Sequence, residues 1–133
     1  MIAYRDDVSA LEPAKLTGFF ADWPRKPSPE LHLEVLRGSD HVVLAFDGEH
    51  VVGFVTAISD RLLSAYIPLL EVLPAYRGRG IGSELMRRML AKLEALYMVD
   101  LCCDADLEAF YSGFGLRVWD RGMGVRRPNA IAR

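Results

Sequence analysis

Cysteine is scarce in this sequence of 133 residues: the two present, Cys102 and Cys103, are adjacent. Neighbours along a strand point to opposite faces and cannot readily pair, so no disulfide framework holds the fold. Long apolar runs are missing as well. The longest near-apolar run, residues 62–70, contains Ser64 and Pro68 and falls short of the ~20 residues a helix needs to cross a bilayer. No charged-then-apolar leader opens the chain. His32, His41 and His50 lack metal-ligand spacing and have no Cys/His cluster beside them, so no metal is expected. These absences predict a protein of a reducing compartment, the cytoplasm, with no membrane partner.

What is present is ordinary globular composition, 51% hydrophobic and 26% charged, enough to bury one core of common size without staples. A single domain over residues 1–133 follows. The net charge of −2 is unevenly spread: residues 1–76 hold 6 Lys/Arg against 11 Asp/Glu, and residues 77–133 hold 10 against 7. A modest positive bias in the second part suits a small anionic ligand better than a nucleic acid.

The pattern along the chain predicts its elements. IAYRDD reads as a short first strand, and residues 8–20 place Val8, Leu11, Leu16, Phe19 and Phe20 near helical spacing. Ser28-Pro29-Glu30 supplies an N-cap, a first-turn proline and an acidic first turn for a helix to about Arg37, ended by Gly38. Two apolar runs flank Asp47-Gly48 as a hairpin, and LLSAYIPLLEVL adds a third strand to an antiparallel meander. From Gly80 to Leu96, Ile81, Leu85, Met89 and Leu93 recur every four residues, the signature of an amphipathic helix.

YMVDLCC follows as a short buried strand holding both cysteines, DADLEAFYSGFG as a short Asp-capped helix, and LRVWDRGMGVRR as a final hairpin. The expected order is β-α-α-β-β-β-α-β-α-β-β. This is an α+β or mixed-sheet α/β domain: a central, mostly antiparallel sheet flanked by helices, with the strands before and after the long helix as parallel neighbours.

The densest feature is VLPAYRGRGIGSELM, residues 72–86. A helix start leaves backbone N–H groups unpaired and carries partial positive charge. Gly78, Gly80 and Gly82 let bare backbone approach an anion, while Ser83, Arg77 and Arg79 add donors. Two nucleotide loops fail on spacing. Lysine is absent between Lys26 and Lys92, which rules out the triphosphate loop. A dinucleotide fingerprint starting at Gly78 or Gly80 would need glycine where Ser83 or Leu85 stands.

The run Arg77-Gly78-Arg79-Gly80-Ile81-Gly82 does fit Gln/Arg-x-x-Gly-x-Gly/Ala, and there the chain resembles the GNAT superfamily of acetyl-CoA-dependent N-acetyltransferases. LEVLPAYRGRGIGSELM is similar to that family's fourth strand and pyrophosphate loop, and AFYSGFGL, residues 109–116, to its later Phe-Tyr segment. The element order corresponds to the family fold along essentially the whole chain. Two positions depart from the pattern: Leu116, where the family often has phenylalanine, and Asp104, where many relatives carry asparagine.

The resemblance implies acetyl-CoA as cosubstrate, in a cleft where the fourth strand and the next splay apart. Val72 and Leu73 would offer backbone hydrogen bonds to the pantetheine arm. Arg77, Gly78, Arg79, Gly80, Ile81, Gly82 and Ser83 would cradle the pyrophosphate, largely through backbone, which makes Arg79 replaceable.

The implied chemistry is direct attack of a primary amine on the thioester within a ternary complex. A backbone N–H near Val72 would stabilise the developing oxyanion. Tyr111, with a hydroxyl pKa of ~10, is matched to protonate the departing thiolate as general acid; the alternative is an aromatic packed beside Phe110 and Phe114. Glu71 is the carboxylate nearest the reacting end of the fourth strand and a candidate base, with a surface carboxylate or a water relay as alternatives. Its side chain and that of Val72 cannot share a face without a bulge.

Trp23 either lines the acceptor site or seals the edge of the core. The acceptor is a small molecule or a peptide, and a homodimer is left open. The competing function is an acyl-CoA-binding sensor on the same fold that transfers nothing.

Overall fold

The computed structural model describes residues 1–119 and 122–131. Five strands form one sheet in the order β1 (Ile2–Arg5), β2 (His41–Asp47), β3 (His50–Ser59), β4 (Ser64–Val72), β5 (Met98–Asp100). Neighbours are antiparallel except β4 and β5, which are parallel. Helices α1 (Pro29–Gly38), α2 (Ile81–Lys92) and α3 (Glu108–Ser112) complete the chain. The mixed α/β domain, its meander and its one parallel pair are those the sequence implies. Among the described residues, no helix is long and apolar enough to cross a membrane.

The sheet is covered on both faces, which is why β2 and β3 read as continuous apolar runs rather than alternating ones. One face takes α2: Val43, Ala45, Val52, Val55 and Ile67 pack with Leu85, Met86, Met89 and Leu93. The other takes residues 11–20 and α1: Leu44, Phe46, Val51 and Phe54 pack with Leu16, Phe19, Phe20, Leu33 and Leu36. Each fully buried Leu or Phe contributes roughly 1.5–3 kcal/mol. Helix α2 sits close on β3 because Gly53 has no side chain. A Cβ there would lie 3.1 Å from Leu85 and 3.3 Å from Ile81.

Local signals place several boundaries. Ser28 caps α1, its Oγ accepting from the Leu31 amide at 3.1 Å. Gly48 takes a φ of 60° at the β2–β3 hairpin, the left-handed turn such a two-residue connection needs. Pro68 falls where the β3–β4 register shifts, and a bulge is where a strand tolerates a residue with no N–H.

Four expectations are corrected. Residues 8–20 form no α-helix; a 3-10 turn at Pro13–Leu16 is all that appears. Pro13 opposes a helix interior, and Gly18 and Phe20 take positive φ values of 95° and 64°, yet Leu11, Leu16, Phe19 and Phe20 are buried as their spacing suggested. Strand β5 spans three residues, so Cys102 and Cys103 lie beyond it and are exposed. Asp104 precedes a 3-10 turn, Ala105–Leu107, without a side-chain cap bond.

The final hairpin is the fourth. Asp120 and Arg121, at its expected turn, lie outside the described residues. Among those described from 116 onward there is no strand. Val118, Trp119 and Val125 are exposed, so no buried apolar face holds such strands in place.

Candidate active site

Strand β4 is where the two halves of the site meet. It pairs with β5 only through residues 64–66, so its edge from Ile67 to Val72 faces an opening between the two strands. Leu73 donates its amide to the Val52 carbonyl at 2.8 Å. Alternation along an antiparallel pair therefore turns the neighbouring Val72 amide away from β3, toward that open edge. The Leu73 amide is committed to the sheet, and its carbonyl accepts from Tyr76 at 2.8 Å. Of the two backbones expected to meet the pantetheine arm, Val72 has the edge-facing amide.

Past the end of β4 the chain makes a 3-10 turn, Pro74–Tyr76, and enters the glycine-rich segment. Gly78 and Gly80 have φ of 79° and 80°, a region that costs other residues roughly 1–2 kcal/mol. A Cβ at either would meet open space; glycine is there for the backbone path. Gly80 is the N-cap of α2 and no side chain caps that end, which leaves the first-turn amides of Ile81, Gly82 and Ser83 without helical partners.

Gly82 locates the convergence. A Cβ there would lie 3.8 Å from both Phe110 and Val72, so the first turn of α2, the end of β4 and α3 meet at one point. This bare cradle fits an anionic group with a slender arm leading along β4. Arg79 stacks its guanidinium over Tyr76, 5.0 Å from the ring centroid. Arg77 instead turns back, its Nε donating to the Val72 carbonyl at 3.1 Å.

Tyr111 lies next to that point on α3. Its ring packs edge-on against Phe110, with centroids 4.9 Å apart, and against the α2-side core. Burial, followed by the nearby Cys103, pushes its hydroxyl above the usual phenol value, so it holds its proton throughout the neutral range. Burial also raises the Cys103 thiol, as do the surrounding carboxylates of Asp104 and Glu108. That is the wrong direction for a thiolate nucleophile.

Glu71 occupies the opposite face of β4. No register shift separates it from Val72, so their side chains diverge as alternation requires; what Val72 brings to the edge is its amide, in the plane of the sheet. The Glu71 carboxylate accepts from the Phe20 amide at 2.8 Å. Burial raises its pKa above the ordinary carboxylate value against the pull of the Phe20 N–H and Arg77, and Asp22 raises it further. Glu71 helps line a cavity of about 290 Å³ together with Asp22, Trp23, Phe54 and Arg77. Trp23 is 43% exposed and packs edge-on against Phe20 at 5.0 Å: it lines the cavity and also leans on the core.

Sequence reasoning missed Asp22, the side-chain direction of Arg77 and the anchor at Phe20. Asp22 carries no spacing signal, and a positive φ at phenylalanine has no signature in composition. Among the described residues, no group of three or more His, Cys, Asp or Glu could hold a metal ion.

A sheet covered on both faces, opened between β4 and β5 beside an uncapped glycine-led helix, leaves a cleft with an anion cradle at one end. Residues 8–116 match the acetyltransferase (GNAT) family, and the chain belongs to it. A Deinococcus radiodurans protein assigned as an acetyltransferase is 45% identical, with a TM-score of 0.93, over 98% of this chain and 92% of its own. A GNAT-family acetyltransferase of Streptococcus pneumoniae is 25% identical, with a TM-score of 0.78, over 96% of this chain and 99% of its own. The glucosamine-6-phosphate N-acetyltransferase of Arabidopsis thaliana shares the fold, at 16% identity and a TM-score of 0.69 over 95% of this chain and 98% of its own. No curated protein matches.

Proposed function

We propose that this protein moves an acetyl group from acetyl-CoA to a primary amine by direct attack within a ternary complex. The observation that carries the reading is the meeting of Val72, Gly82 and Phe110 at the open edge of β4, with Tyr111 beside it and Glu71 on the other face. Acetyl-CoA supplies the activated acyl group. The α2 N-terminus and residues 77–83 hold its pyrophosphate, and the Val72 amide faces the acyl carbonyl as an oxyanion donor.

Glu71 accepts the proton of the incoming ammonium, directly or through one water, and the neutral amine attacks. A C–N bond forms, the C–S bond breaks, Tyr111 gives its proton to the departing sulfur, and the proton shed by the acylated nitrogen returns to the Tyr111 phenolate through water. The raised pKa values of both groups suit these roles. A base drawn toward neutrality is protonated more readily by the amine, and a phenol held protonated is ready to donate. The unpaired Cys102 and Cys103 fit a reducing compartment, the cytoplasm.

The test is thiol release from acetyl-CoA with a panel of amines, alongside thermal stabilisation by CoA. Turnover is expected with at least one amine, falling on the order of a hundredfold in Tyr111→Phe. Unchanged turnover in that variant removes Tyr111 from the mechanism. Saturable CoA stabilisation with no transfer to any amine assigns instead the acyl-CoA-binding module.

A further inference from the structure

We infer that the acceptor is a free α-amino acid with an apolar side chain, held by Arg77 at its carboxylate and by Asp22 and Glu71 at its ammonium. The inference rests on the reading above and names the substrate class of the same site.

The cavity beneath Glu71 contains charges of both signs and little other polarity. Asp22 and Glu71 are its carboxylates, Arg77 its guanidinium, and Trp23, Phe54 and Leu69 are among its apolar walls. Arg77 spends one nitrogen, Nε, on the Val72 carbonyl. Its two terminal nitrogens have no partner among the described residues, although a guanidinium presents its donors as a fork that fits a carboxylate. Neither Asp22 nor the second oxygen of Glu71 has a hydrogen-bond partner among the described residues; the first oxygen is taken by Phe20.

An α-amino acid carries its two charges one carbon apart, so its site needs opposite charges close together. Glu71 and Arg77 meet that need, since both line the one cavity. A simple alkylamine would leave Arg77 unpaired against an apolar chain, and a polyamine would set a second cation against it. The volume, about 290 Å³, falls just under the roughly 300–1,000 Å³ range of small-molecule sites. That is room for one amino acid. Arg77 thereby serves the acceptor through its side chain, although its backbone belongs to the donor loop.

The experiment pairs acceptors that differ by the carboxylate alone: leucine with 3-methylbutylamine and phenylalanine with phenethylamine, with spermidine and a lysine-containing peptide as further arms. The amino acid of each pair is expected to exceed its decarboxylated partner in kcat/KM by on the order of tenfold or more, the worth of one charge-assisted hydrogen bond. In Arg77→Gln that ratio should collapse through the acceptor KM, by more than any change in the acetyl-CoA KM. Asp22→Asn should raise the acceptor KM for both members of a pair.

Transfer that favours the decarboxylated amines, spermidine or the peptide overturns the inference and leaves the acetyltransferase reading intact. So does an Arg77→Gln variant that raises the acetyl-CoA KM and keeps the pair ratio. CoA binding without transfer to any amine overturns both.

Discussion

In the proposed reaction, the donor side and the acceptor side of β4 are built from different materials. On the donor side the working groups are backbone: the Val72 amide, two glycines at positive φ and the uncapped first turn of α2. On the acceptor side they are side chains: Glu71, Asp22, Trp23 and Arg77 around one cavity. A backbone cradle binds by shape and dipole and tolerates change in the side chains around it. A side-chain pocket takes its selectivity from the charges it presents, so each of its residues is exposed to substitution. One strand serves both because Glu71 and Val72 point their side chains to opposite faces while the Val72 amide stays in the plane.

The sharpest way to break this contrast is at Glu71. Glu71→Gln keeps an oxygen for the Phe20 amide but cannot take a proton, so turnover should fall about a hundredfold or more, nearly as far as in Glu71→Ala. In the unsubstituted protein kcat/KM should be lost as pH falls through the Glu71 pKa, at a pH above the ordinary carboxylate range, since burial raises it. Glu71→Gln should lose that acid limb. A fully active Glu71→Gln enzyme would leave proton removal to water.

Next in size is an acid effect confined to the acceptor layer. His32 is 1% exposed, its ring centroid lies 4.3 Å from that of Phe54, and neither ring nitrogen has a hydrogen-bond partner among the described residues. Burial lowers its pKa from 6.5 to about 4. The folded state therefore binds fewer protons than the unfolded state between those values, and stability falls as pH drops from 6.5 toward 4. The loss amounts to about 3 kcal/mol. Denaturant melts across that window should show the slope, and His32→Leu should flatten it. Hydrogen exchange should open residues 17–33 before α2; equal loosening of both faces would contradict the separation.

Two smaller effects probe the donor side. Gly82→Val should raise the acetyl-CoA KM about tenfold with a nearly unchanged melting temperature. The first added carbon meets Phe110 and Val72 at an ordinary 3.8 Å, and the branches then fill the cleft. Arg79→Ala should change that KM within about fivefold, the range of an exposed charge. A larger loss would mean that side chains carry the donor site after all.

Much of this contrast could be read from the sequence, and the part that could depended on locality. The glycine-led turn, the four-residue repeat of α2, the Ser28-Pro29 cap and the Asp47-Gly48 hairpin are each decided within about a dozen residues. The structure places the turn, the cap and the hairpin as read and keeps the helix but ends it at Lys92, with Leu93 as its C-cap and Leu96 beyond it. Residues 8–20 show the limit: their apolar spacing identified what is buried but not how, because Pro13 and the left-handed Gly18 and Phe20 let a non-helical chain bury the same side chains. The cysteines fail for a related reason. An apolar run suggested a longer strand, but β5 ends where its pairing with β4 ends.

The sequence by itself determined the anion cradle: positive-φ glycines and a helix N-terminus form one wherever that helix is placed, since backbone conformation and dipole are local properties. Only the tertiary structure decided the cavity proposed for the acceptor. The bond from Phe20 to Glu71 joins residues 51 apart in the chain. It sets the loop bearing Asp22 and Trp23 over β4, and the burial that raises the Glu71 pKa exists only once the sheet and that loop have closed on it.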